Sequence, residues 1–181
     1  DCLFAALGQA LHGLGLFGVD MEIFKGLKLG VLDDEERVFC TADVLESYDA
    51  ALKTLLALGA ELNVFKSPIA YDEMADLNGA ITMYEGYHNH RAYYDDPNKI
   101  TDPNVKKRMF KGRALSAQSH ADRIEKRQGD QAVFQAAFSA FDALLTPTLL
   151  QPAIKLSDVD EDKTPGHFTR PFNYIDMCAL S

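Results

Sequence analysis

The chain has 181 residues, of which 47% are hydrophobic and 25% charged, as expected for one globular domain with a substantial core. The formal net charge is −9 and the basic residues are scattered, which argues against a protein that binds nucleic acid through its phosphates. Three cysteines without Cys-x-x-Cys spacing favour free thiols in a reducing compartment, and no apolar run reaches membrane-spanning length. We therefore predict a cytoplasmic protein that contacts neither nucleic acid nor membrane.

The first third of the chain predicts one helix and then a strand–helix–strand unit. Residues 1–14 carry apolar side chains at helical spacing. Residues 27–32 form a short apolar run, which predicts a strand. Residues 42–58 repeat their apolar side chains at i, i+3, i+4 and i+7, and Gly59 is placed to end that helix. The alternating run at 61–65 predicts a second strand, and such a unit favours parallel pairing.

The rest of the chain predicts further helices and one more strand. Asp102 and Pro103 suit the N-cap and first helical position, so they predict the start of a long helix. The predicted order is a helix over residues 71–94, a helix from 102 toward 127, a helix with an apolar stripe over 133–141, and a strand over 143–146. The fold class is therefore α/β, with part of a mixed β-sheet flanked by helices.

Three segments of the second half carry a resemblance to a known family. Gly-Arg-Ala-Leu-Ser-Ala at residues 112–117 is followed by Arg127. The apolar run at 141–148 ends in Thr-Pro-Thr, and residues 169–173 read Thr-Arg-Pro-Phe-Asn. In this order and spacing they resemble the C-terminal half of the amidase signature family of serine amidohydrolases. The resemblance extends to the helix, turn and strand over residues 50–65.

The resemblance implies a Ser nucleophile, a catalytic Lys, a bridging Ser and oxyanion donors from a Gly-Ser-rich loop. No segment of this sequence matches such a loop, and Ser116, Ser119 and Ser139 lie in helical patterns. We therefore expect no catalytic residue here, and a nucleophile upstream of this sequence. Residues 1–181 are expected to be an internal to C-terminal segment of a single amidase domain, truncated at both ends and inactive by itself.

What remains for this chain is substrate binding, for which the resemblance implies three residues. The guanidinium of Arg127 could hold a carboxylate or carbonyl group bidentately. An ion pair with Glu125 or Asp130 on the helix surface is the alternative. Thr148 and Asn173 could donate or accept hydrogen bonds at the rim of the pocket, although loop capping explains their positions nearly as well.

The resemblance implies that the whole protein hydrolyses a small carboxamide to a carboxylate and ammonia. The alternatives are the glutaminase subunit of a tRNA-dependent amidotransferase, within the same resemblance, and a non-catalytic binding domain on the same fold. A small-molecule amide is the expected substrate, and a homodimer or an amidotransferase subunit is the expected partner. No cofactor or metal is expected, because His88 and His90 point to different sides of a helix.

Overall fold

The computed structural model describes residues 21–160, 163 and 165–180, so the helix predicted over residues 1–14 lies outside the described residues. The chain divides into two units, each of which is described by itself. The first unit contains the residues up to Ser67 together with Ala136–Ala153 and the segment from Ala179; the second contains Pro68–Gln135 and Ile154–Cys178.

A parallel sheet with three strands organises the first unit. Its elements are β1 (Lys28–Leu32), α1 (Asp34–Arg37), α2 (Ala42–Ala57), β2 (Glu61–Phe65) and β3 (Ala143–Leu145). The strand order is β2-β1-β3, and both pairings are parallel. The predicted strand–helix–strand unit is confirmed with its boundaries nearly unchanged, and the α/β fold class is confirmed with it.

The central strand β1 packs closely against its neighbours. A Cβ on Gly30 would lie 2.3 Å from Leu144 Cδ2 and 3.0 Å from Phe65 Cβ, so any larger residue at this position would displace the Leu144 side chain. The ring of Phe65 meets that of Phe141 edge-on at 5.5 Å. After α2, Gly59 adopts φ +94°, a conformation that costs glycine little and turns the chain into β2.

The second unit is helical. Its elements are α3 (Tyr71–Asn89), α4 (Arg91–Tyr94), α5 (Pro103–Lys111), α6 (Ala117–Phe138, whose last residues belong to the first unit) and α7 (Arg170–Ile175). Helix α3 packs against α5 and α7. The core of the second unit contains large side chains that are almost completely buried: Met74, Phe134, Phe168 and Tyr174. Among the described helices, none has the length and apolar character needed to cross a membrane.

The helix predicted from Asp102 toward Arg127 was wrong at its end. Asp102 caps α5 as predicted, because its side chain accepts hydrogen bonds from the next turn, but α5 ends at Lys111. A 3-10 turn at Gly112–Ala114 and an extended Leu115 follow. The hydroxyl of Ser116 then accepts a hydrogen bond from Ser119 N at 3.1 Å, which starts a new helix.

The other helix boundaries differ from the prediction in smaller ways. Helix α6 runs without interruption to Phe138, so Arg127 and the apolar stripe predicted from residue 133 lie on one helix. The helix predicted over 71–94 breaks at His90, which has φ −115° and separates α3 from α4. The short helix α7 was not predicted.

Candidate functional site

Two of the three residues predicted to bind substrate meet at the carboxyl end of α7. Arg127 Nε donates to the carbonyl oxygen of Tyr174, and Arg127 Nη2 donates to that of Asn173 at 3.3 Å. The last carbonyl groups of a helix have no partner within the helix, and a cation there also complements the helix dipole. The nearest carboxylate of Arg127 is Asp176 Oδ1, 3.8 Å from Nη2, rather than the predicted Glu125 or Asp130.

A polar network around one buried tyrosine fixes α7 from a second direction. The Tyr174 side chain is completely buried, and its hydroxyl donates to Asp130 Oδ2 at 2.8 Å. Lys126 Nζ lies 2.9 Å from the same oxygen and 3.2 Å from Glu73 Oε1. The hydrogen bond to Asp130, followed by that to Glu73, raises the pKa of Lys126. The network therefore connects α3, α6 and α7 through charge-assisted hydrogen bonds.

The amino end of α7 is held by its own arginine. Arg170 Nη2 donates to the carbonyl oxygen of Ala75 on α3. A Cβ on Gly79 would lie 2.3 Å from Arg170 Nη2, and one on Gly166 would lie 2.7 Å from Arg170 Cδ. Both glycines thus leave the space that the arginine side chain occupies. With both ends fixed, α7 presents the exposed side chain of Asn173 from a rigid position.

The third predicted residue, Thr148, lies in the first unit, just after β3. Its side chain is exposed, whereas the preceding Pro147 is buried. Two hydrogen bonds hold the segment that contains it. Tyr48 Oη donates to the Leu145 carbonyl oxygen at 2.7 Å, and Thr41 N donates to that of Leu150 at 2.8 Å.

Sequence reasoning missed the role of Tyr48. The tyrosine belongs to the apolar stripe of α2, and the residue is 6% exposed, so its spacing indicated only a core position. Its hydroxyl, however, also accepts a hydrogen bond from Leu32 N at 3.1 Å. A buried Tyr hydroxyl needs a hydrogen-bond partner. The presence of a tyrosine in the apolar stripe was therefore the only signal in the sequence that pointed to this contact.

From the burial of two tyrosines we predict that the protein loses stability in alkaline solution. Burial raises the pKa of Tyr48 to about 12, and burial followed by the Asp130 hydrogen bond raises the pKa of Tyr174. Because an unfolded tyrosine titrates near 10, the contribution of the neutral phenols is complete below pH 10 and is lost as pH rises through the folded pKa. For Tyr48 we expect a loss of about 2–3 kcal/mol between pH 10 and 12 in urea unfolding. An identical alkaline loss in Tyr48→Phe would contradict this.

An open depression of about 520 Å³ also lies in the second unit, on α3 and α6. Three of its six lining residues are acidic and one is basic: Asp72, Glu73, Asp76, Leu77, Ala80 and Arg123. The guanidinium of Arg123 is engaged by its own helix, donating to the carbonyl oxygen and the hydroxyl of Ser119. Within the described part of the chain, no group of three or more His, Cys, Asp or Glu could hold a metal ion.

Comparison with known proteins identifies the family. The sequence profile of the Amidase family matches residues 20–181. The chain belongs to the amidase family. The resemblance stated from the sequence motifs is therefore confirmed, although a search of curated proteins gives no match.

Solved structures show the same fold. One amidase crystal structure is 22% identical with a TM-score of 0.72, over 83% of this chain and 36% of that one. A bacterial aryl acylamidase of the amidase signature family is 16% identical with a TM-score of 0.61, over 83% and 35%. A glutamyl-tRNA(Gln) amidotransferase subunit from Thermotoga maritima is 24% identical with a TM-score of 0.52, over 84% and 34%. This amidase-family chain thus spans between 34% and 36% of the length of these structures.

Proposed function

We propose that the protein carrying this chain hydrolyses a small-molecule carboxamide to a carboxylate and ammonia. The observation that carries the proposal is the family match over residues 20–181. The whole domain would be a serine hydrolase, with the nucleophilic Ser, the bridging Ser and the Lys base in sequence preceding this segment. The free thiols of Cys40 and Cys178 support a cytoplasmic location as part of the same proposal.

In this reaction the Ser oxygen attacks the amide carbon, its proton passes to the base and from there to the amide nitrogen, and the C–N bond breaks as ammonia leaves. Water then hydrolyses the acyl-enzyme and regenerates the serine. The segment described by the structure would contribute binding and orientation, which lower the barrier by holding the carbonyl group at the nucleophile. Its rigid elements, rather than a catalytic group of its own, are the relevant feature.

Arg127, Thr148 and Asn173 are the residues we propose to border the substrate. The side chains of Asn173 and Thr148 are exposed, so an amide and a hydroxyl are available for hydrogen bonds. The Arg127 side chain is 29% exposed, and its Nη1 has no hydrogen-bond partner among residues 21–160, 163 and 165–180. A substrate carboxylate or carbonyl group could therefore accept from Nη1 while the rest of the fork holds α7.

A second candidate is the glutaminase subunit of a tRNA-dependent amidotransferase, which would pass ammonia to a partner protein. The likeness to the glutamyl-tRNA(Gln) amidotransferase subunit from Thermotoga maritima supports this candidate at the level of fold. The two candidates differ in substrate and in dependence on a partner. A glutaminase would act on glutamine and respond to the partner protein, whereas a free-standing amidase would release ammonia from other primary amides without a partner.

The test is an ammonia-release assay of the full-length protein against primary amides, including glutamine, beside the 181-residue chain. We expect the full-length protein to turn over at least one amide and the 181-residue chain to turn over none, because binding without a nucleophile and oxyanion donors gives little acceleration. Turnover by the 181-residue chain that disappears in Ser116→Ala, Ser119→Ala or Ser139→Ala would contradict this. A full-length protein that binds amides without turnover would favour the non-catalytic binding domain.

A further inference from the structure

The hydroxyl of Tyr48 lies where the last residue of β1 has no pairing residue in β3. Leu145 is the last residue of β3 and pairs with Val31, so Leu32 has no partner residue in β3. Tyr48 Oη fills this place by accepting from Leu32 N at 3.1 Å and donating to the Leu145 carbonyl oxygen at 2.7 Å. The side chain thus joins the carboxyl ends of β1 and β3.

The segment that follows β3 is therefore held at both of its ends by α2. Tyr48 holds Leu145 before the segment, and Thr41, the N-cap residue of α2, holds Leu150 after it. Only residues 146–149 lie between the two anchors, and Thr148 is one of them. A segment this short, with both ends fixed, has little conformational freedom left to lose when a ligand binds.

The position of this segment is the one where parallel sheets bind ligands. In open α/β sheets, ligands bind outside the carboxyl ends of the strands. The Tyr48 bridge needs the neutral phenol, since the hydroxyl must donate and accept together. The charged groups nearest the ring are the Arg37 guanidinium, 5.8 Å from its centroid, and Asp49, which pairs with Arg37 at 2.8 Å.

We propose that Tyr48 is a positioning residue for substrate binding, which it serves by fixing the Thr148 segment. The inference rests on the proposed amide hydrolysis and deepens it. Tyr48 itself does not touch the reacting atoms; it acts through the backbone of Leu145. Thr41 provides the second anchor of the same segment through its backbone N–H.

The test compares three single variants of the full-length protein, together with Thr148→Ala and its double variant with Tyr48→Phe. Tyr48→Phe removes only the hydroxyl. Thr41→Pro removes the second anchor's N–H, and the φ of −69° at Thr41 suits proline. Tyr87→Phe is the matched control, because Tyr87 is also buried and its hydroxyl donates to Asp95 in the second unit. Amide hydrogen exchange of Leu32, and kcat/KM for the best amide, are measured for each.

We expect Tyr48→Phe to accelerate exchange of the Leu32 amide about tenfold, because that N–H loses its acceptor, and Tyr87→Phe to leave it unchanged. Thr41→Pro, which releases the other end of the segment, should lower kcat/KM in the same direction as Tyr48→Phe. We expect Tyr48→Phe to lower kcat/KM about tenfold, and to add little to the loss caused by Thr148→Ala in the double variant. Unchanged exchange in Tyr48→Phe, or additive losses in the double variant, would overturn the inference. Absence of turnover in the wild-type protein would instead overturn the proposed function, and the exchange result would still decide whether the Tyr48 bridge exists.

Discussion

Replacing Gly112 by alanine should lower the free energy of unfolding by about 3 kcal/mol or more, enough to prevent folding of a marginally stable protein. A Cβ at this position would lie 1.9 Å from the carbonyl oxygen of Met83 and 2.9 Å from Tyr84 N. Both atoms belong to the backbone of α3, so no flexible side chain can move aside. Gly112 itself has an ordinary helical φ of −65°, and the cost is therefore purely one of space.

Gly129→Ala is the matched control for this prediction. Gly129 lies in the interior of α6, and nothing would come within 4 Å of an added Cβ. Alanine there should stabilise the helix by about 1 kcal/mol, because glycine is the poorer helix former. Urea unfolding of the full-length wild type and both variants gives the comparison. Equal effects of the two substitutions would show that α3 and the Gly112 turn do not approach each other as described.

The surroundings of Gly112 also show which parts of the fold could be predicted from the sequence. The unit from β1 to β2 was predicted closely, because its apolar spacing and the turn at Gly59 are local signals. The end of α5 was not predicted. The 3-10 turn that follows it places Gly112 against the backbone of Met83, which is 29 positions earlier in the chain (112 − 83). Local patterns carry no information about such an approach.

The candidate site shows the same division. The motifs pointed to Arg127 and Asn173 as separate residues, but their contact joins positions 46 residues apart and required the fold. The hydrogen bonds of Tyr48 could not be predicted, because the apolar spacing of α2 indicates where the ring lies but not what the hydroxyl contacts. The short α7 was missed because six residues with a proline near the start give too brief a pattern for helical periodicity.

Arg127→Lys should lower both stability and catalytic efficiency in the full-length protein. The planar fork donates to two carbonyl groups of α7 at once, and a lysine ammonium cannot reproduce that geometry. We expect a loss of about 1–2 kcal/mol in the free energy of unfolding. If α7 presents Asn173 to the substrate, kcat/KM should fall about tenfold or more, because a small displacement of a positioning group is costly.

The control for Arg127→Lys is Arg123→Lys, one turn earlier on α6. Arg123 contacts only Ser119 of its own helix among the hydrogen bonds of the described residues, so its replacement should leave kcat/KM unchanged and cost little stability. An Arg127→Lys, Asn173→Ala double variant separates the two roles of Arg127. If Arg127 acts by holding Asn173 in place, the two losses in kcat/KM will not add, because the second change removes what the first displaced. If its free Nη1 binds the substrate directly, the losses will add. Unchanged kinetics in Arg127→Lys beside a small loss of stability would remove Arg127 from the proposed site, leaving it as the residue that caps α7.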